Sequence, residues 1–122
     1  MQSVRRTFGD DEIALTRAVL RACDQLGISQ KAMASVLGVS EATVSRMRDG
    51  SLILRRGRGK AFELAQLLLR IYDTLGRIVH GDDAAARGWL SAENTALGAR
   101  PIDLIQTAQG LVDVEGYLRS SL

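Results

Sequence analysis

Apolar side chains recur along this chain at intervals of three and four residues and never alternate with polar ones over the length of a strand. Leu15, Val19, Ala22, Cys23 and Leu26 form one such stripe, which predicts an amphipathic helix capped by Asp10 and ended by Gly27. From Gln30 to Gly50 the sequence QKAMASVLGVSEATVSRMRDG predicts two short helices joined by a turn. A long helix is predicted from Ala61 to Val79, with Leu64, Ala65, Leu68, Ile71, Tyr72, Leu75, Ile78 and Val79 on one side. A helix so apolar is the central pillar of a core or of a dimer. His80-Gly81 closes it, and Asp82 caps the next, which carries Trp89 and Leu90. After a loop over residues 91–100, Pro101 suits the first turn of a helix ending near Gln106, and Thr107 caps a last helix with Leu111, Val114, Leu118 and Tyr117 on its apolar side. The expected fold is all-α, without repeats. Its one linker-like segment lies around residue 57, which divides the chain into residues 1–58 and 59–122.

The stretch from Gln30 to Gly50 meets several requirements of a helix-turn-helix at once. Two helices crossing steeply need a small residue at the crossing, supplied by Ala34, and a turn residue that tolerates positive φ, supplied by Gly38. Met33, Leu37, Val39, Val44 and Met47 share one apolar seam, Ser40 caps the second helix, and Asp49-Gly50 stops it. On that second helix Glu41, Ala42, Ser45, Arg46 and Asp49 fall on one face, opposite Val44 and Met47. Their chemistry suits a major groove: Arg46 forks onto guanine, Ala42 touches a thymine methyl, and Glu41 accepts from a cytosine amino group. Ser40, Thr43 and Ser45 are short donors for phosphates or base edges, Arg48 adds a cation, and Gln30 offers its amide to a phosphate. Double-stranded operator DNA is therefore the first expected partner. Because one helix-turn-helix reads only a few base pairs, a homodimer with its two copies roughly 34 Å apart is expected, meeting through the long apolar helix.

Charge sharpens this division of labour. The 122 residues carry a formal net charge of only +2, but residues 1–60 hold 11 Lys/Arg against 6 Asp/Glu, and residues 61–122 hold 5 against 8. A basic front half suits phosphate, and an acidic back half suits another task. One cysteine excludes an internal disulfide and a multi-cysteine metal site, as in a reducing cytosol. The start, MQSVRRTFGDDE, has no apolar core for a signal peptide, and the run Leu67-Leu68-Leu69 is too short to span a bilayer, so a cytoplasmic protein is expected.

In the second half, Trp89-Leu90, Asn94, Ala96-Leu97-Gly98, Arg100-Pro101-Ile102-Asp103-Leu104-Ile105, Thr107, Gly110, Val114 and Tyr117-Leu118 carry a more specific signal. With these residues the chain resembles the Xre/MbcA/ParS antitoxin family, whose members often place an Xre-like helix-turn-helix in front of this domain. The resemblance implies the antitoxin of a RES-domain toxin, an ADP-ribosyltransferase-like protein that attacks NAD. It further implies that the C-terminal domain covers the toxin and blocks its active site, while the helix-turn-helix represses the shared operon. The last residues of the chain are expected to reach a neighbouring pocket, with Tyr117, Leu118, Arg119 and Leu122 as the toxin contacts.

Nothing in the sequence assembles an enzyme, a metal site or a cofactor site. Gly59-Lys60 has the ending of a phosphate-binding loop, but Leu54 and Ala61 occupy the positions of its first glycine and its magnesium-binding hydroxyl. Cys23 reads as a buried structural thiol, His80 as a cap or solvated residue, Asp82-Asp83 as a helix start, and Trp89 as core more readily than as a contact for a partner. The cluster Arg55-Arg56-Gly57-Arg58-Gly59-Lys60 reads equally as a phosphate-contacting wing or as a solvated loop. Two alternatives stand beside the antitoxin reading. One is a stand-alone dimeric helix-turn-helix repressor; the other is a toxin inhibitor without DNA binding, favoured by the carboxylates of Glu41 and Asp49 on the reading face.

Overall fold

The computed structural model describes residues 2–122, with side chains from Gly9 onward. The expectation about a signal peptide at MQSVRRTF concerns side chains outside the described residues. Seven helices form the described chain: α1 (Gln2–Leu26), α2 (Gln30–Leu37), α3 (Glu41–Arg48), α4 (Ala61–Ile78), α5 (Asp83–Ser91), α6 (Pro101–Leu104) and α7 (Ala108–Arg119). The fold is all-α. Besides helices, the described residues contain a single isolated antiparallel bridge, Asn94 to Ala99, which closes the turn before α6.

The pillar expected from the apolar pattern is α4. Phe62, Ala65, Leu68, Ile71 and Leu75 are all buried along one side of it, and α1, α2, α5 and α7 pack around it. Removing a Leu or Ile side chain from water contributes roughly 1.5–3 kcal/mol, so this row holds both halves of the chain together. Indeed one hydrophobic cluster runs from Val19 of α1 through Met33, Val44 and Leu68 to Leu118 of α7. Leu64, Leu67, Leu69 and Tyr72 pack against the same core, and only Ile78 among the large apolar residues of α4 stands exposed. The apolar surface expected to join two chains along α4 is thus covered within one chain.

Most helix ends follow the local chemistry of the sequence. Ser40, Asp82 and Thr107 each cap a helix, accepting from the backbone N–H of Thr43, Ala85 and Gly110. Ser29 does the same for α2, accepting from Ala32. Gly38 ends α2 at φ 68°, a left-handed conformation that a side chain would disfavour, and this turns the chain into α3.

Two boundaries differ from expectation. Asp10 lies inside α1, which starts at Gln2; capping requires extended backbone, and the Gly9 before it disfavours helix by only about 1 kcal/mol. The helix opened by Pro101 stops at Leu104, because the chain must turn again before Thr107 caps α7. At that turn the ideal Cβ of any residue at Gly110 would lie 1.8 Å from the backbone oxygen of Leu104, so glycine alone allows α6 and α7 to meet this closely.

Candidate nucleic-acid interface and partner surface

α2 and α3 form the expected helix-turn-helix. Val44 and Met47 face the core at 0% and 2% exposure, while Glu41, Ala42, Ser45, Arg46 and Asp49 are all exposed. The reading face is also ordered by its own hydrogen bonds. Ser40 Oγ accepts from Thr43 N at 3.1 Å and lies 3.0 Å from Thr43 Oγ1, which in turn accepts from Arg46 Nη2 at 3.3 Å. Asp49 accepts from the Ser51 N–H at 2.9 Å, and the hydrogen bonds from Ser51 hold its carboxyl below the usual carboxylate range. Near neutral pH Asp49 is therefore an anion at the edge of the expected reading face.

Gln30 plays a different part from the one its sequence position suggests. Its Nε2 donates to Ser45 Oγ at 2.8 Å and to the Glu41 carbonyl at 3.3 Å. An amide nitrogen has two hydrogens, and here both are directed at α3. Gln30 thus fixes the angle between the two helices, and its amide is not left over for a phosphate. Arg48 also departs from expectation. It reaches across to α1, where both of its terminal nitrogens meet the Asp24 carboxylate at 3.0 and 3.4 Å. As the last residue of α3 it points away from the face carrying Arg46, and it braces α3 against α1.

The segment after α3 is anchored by two buried polar residues of α1 that the apolar pattern conceals. Thr16, at 1% exposure, accepts from the Leu54 N–H at 3.0 Å and donates to the Glu12 carbonyl at 2.9 Å. Glu12, at 8% exposure, accepts from the Arg56 N–H at 3.0 Å and from the Arg55 guanidinium at 3.5 Å. Arg56 also pairs with Asp11 and lies 4.6 Å over the Phe62 ring. The basic segment is therefore not a free loop. A buried carboxylate that accepts charged and backbone donors together is the kind that folds stably.

In the second half the residues expected to meet a partner separate into surface and core. Leu118 is 1% exposed and packs with Leu111 and Val114, so its side chain is closed to a partner; its place on the apolar stripe of α7 put it there. Tyr117 is half-buried and stacks on Trp89, with ring centroids 6.4 Å apart and planes 19° apart. Trp89 is likewise half-buried, packed against the core with one side toward Tyr117. Arg119 pairs with Glu115 at 3.0 Å, and Leu122 is 64% exposed. Arg119 and Leu122 line one cleft with Arg70, Asp73, Arg77 and Glu115, where α7 crosses α4. Tyr117 does not line that cleft.

The remaining reactive residues have structural surroundings. Burial pushes the Cys23 thiol up to about 12, so near neutral pH it is protonated and a poor nucleophile. His80 is exposed, with φ 54°, where the chain leaves α4. No group of three metal-ligating side chains and no helix long and apolar enough to cross a membrane occurs among the described residues.

Comparison with known families finds a match for each part of the chain. Residues 13–70 match the family described as the antitoxin Xre-like helix-turn-helix domain. Residues 75–120 match the one described as the antitoxin Xre/MbcA/ParS C-terminal toxin-binding domain. No curated protein matches the chain.

Proposed function

We propose that this chain, which belongs to the Xre/MbcA/ParS antitoxin family, neutralises a RES-domain toxin and represses its own operon as a homodimer on operator DNA. Residues 1–58 serve the DNA and residues 59–122 the toxin, an ADP-ribosyltransferase-like enzyme that degrades NAD. The observation that supports the reading best is the coexistence of two unlike surfaces on one core. One is an exposed, internally ordered face of Glu41, Ala42, Ser45 and Arg46; the other is a half matching a toxin-binding domain. On DNA, Arg46 forks onto a guanine, Ala42 contacts a thymine methyl, and Glu41 accepts from a cytosine amino group, while Ser40, Thr43 and Ser45 serve phosphates or base edges. Against the toxin, Tyr117, Arg119 and Leu122 make the contact, with Leu118 as the core residue that holds them.

The test is to induce the product of the adjacent reading frame in a bacterial host, alone and together with this chain. Arrest of growth followed by rescue supports the antitoxin reading, and arrest without rescue overturns it. Because Leu118 is core, cutting off the last turn of α7 would disturb the fold, so surface substitutions separate the two tasks better. Arg46→Ala is expected to weaken operator binding about tenfold to hundredfold and to relax choice at one base pair, with rescue intact. Tyr117→Ala combined with Arg119→Ala is expected to abolish rescue and leave operator binding unchanged.

A further inference from the structure

Four cations lie between α3 and α4, and they differ in what they hold. Arg55 is paired with Glu12, Arg56 with Asp11, and Lys60 with Glu63 at 3.7 Å. Arg58 has no carboxylate partner among the described residues. Its backbone N–H donates to the Arg55 carbonyl at 3.3 Å, so the turn that carries it starts from residues fixed by Glu12. Arg58 lines a cleft of about 420 Å³ with Val39, Thr43, Leu52 and Arg55. Thr43 joins this cleft to the reading face, because its hydroxyl also accepts from Arg46.

We propose that Arg58 binds a phosphodiester of the DNA strand beside the groove that α3 reads, and that it alone among the four cations acts as a phosphate ligand. The inference rests on the DNA-binding reading above and deepens it by naming the backbone contact. Binding through phosphates is driven by release of condensed counterions, and each phosphate neutralised contributes about 0.9 to the slope of log affinity against log salt. A cation held by its own carboxylate must give up that pair to meet a phosphate; Arg58 gives up none. The buried anchor at Glu12 holds the turn before DNA arrives, which reduces the ordering cost of the contact.

The experiment is a salt titration of the full chain on two short duplexes, one from the region upstream of its own gene and one of random sequence. The parent is compared with Arg58→Ala, Arg58→Lys and Arg56→Ala, and each variant's unfolding is followed alongside. Arg58→Ala is expected to lower the salt slope by about 0.9 on both duplexes, so that a fourfold rise in salt weakens it roughly threefold less than the parent. Arg58→Lys should restore the slope, and Arg56→Ala should leave it unchanged. An unaltered slope in Arg58→Ala, with the parent binding DNA, overturns this inference and leaves the DNA reading standing. An equal fall in Arg56→Ala overturns it too, since the segment would then act as diffuse charge. A parent that binds neither duplex removes the DNA reading itself.

Discussion

α3 and α7 start alike and use their sides differently. Each is opened by a hydroxyl that accepts from the backbone N–H three residues on, Ser40 from Thr43 and Thr107 from Gly110. Yet α3 buries only Val44 and Met47, whereas α7 buries Gly110, Leu111, Val114 and Leu118. On α3 the buried residues that seat the helix lie opposite the face expected to meet DNA, although Ser45 on that face is also held by the Gln30 amide. On α7 the residues that seat the helix and those expected to meet a partner interleave, with Leu118 in the core between half-buried Tyr117 and exposed Arg119. A reading helix can therefore change its specificity with little disturbance to the fold, whereas a change on α7 readily affects fold and partner together.

The most severe test of that difference is Gly110→Ala. A Cβ there would lie 1.8 Å from the Leu104 oxygen and 2.6 Å from its carbonyl carbon, backbone atoms that cannot move without shifting α6 against α7. The expected loss is about 4 kcal/mol or more, measured by urea unfolding. Because α7 packs on α4 in a continuous core, the whole chain should unfold in one earlier transition. A separate early transition of the second half, with the helix-turn-helix intact, would show the core to be less continuous than the packing implies.

That continuity explains which features were legible in the sequence. Caps, turns and helix faces are local, so Ser40, Gly38, Asp82, Thr107 and the separation of Arg46 from Met47 could be read directly. The apolar surplus of α4 marks it as a pillar but leaves open whether it serves a core or a dimer, and packing within the chain decides for the core. Partners distant in sequence left no such mark. Nothing near Glu12 or Thr16 signals that they anchor a segment some forty residues on. Asp24 likewise gives no sign that it will draw Arg48 toward α1, nor Ser45 that it will take up the Gln30 amide. Leu118 reads from sequence as a contact because apolar residues suit core and interface equally, and only packing separates the two. Ser29 is different: a serine directly before an amphipathic run is a readable cap.

Smaller effects are expected from the paired caps. Ser40→Ala and Thr107→Ala each remove one acceptor from a helix N-terminus, and each should destabilise the chain by about 1 kcal/mol. Their stability losses are therefore similar, but their functional consequences should diverge. Ser40 also orders Thr43, and through it Arg46, so its loss should weaken operator binding beyond the stability change, with rescue from the toxin retained. Thr107→Ala should leave DNA affinity at the parent value. Equal effects of the two on DNA binding would mean that the cap network of α3 does not order the reading face.

The smallest expected effect is the brace between Arg48 and Asp24. Both side chains are substantially exposed, at 35% and 59%, so solvent screens the pair despite its forked geometry. A double-mutant cycle of Arg48→Ala and Asp24→Ala should give a coupling of roughly 0.2–1 kcal/mol at low salt, falling further in concentrated salt. The functional half of this test matters more than its size. If Arg48 braces α3 against α1, Arg48→Ala should leave the salt slope of DNA binding at the parent value. A fall of about 0.9 in that slope would instead return Arg48 to the phosphate-contacting set. The ion pair would then be an arrangement of the free protein that DNA competes away, and the brace would belong to one state of α3 only.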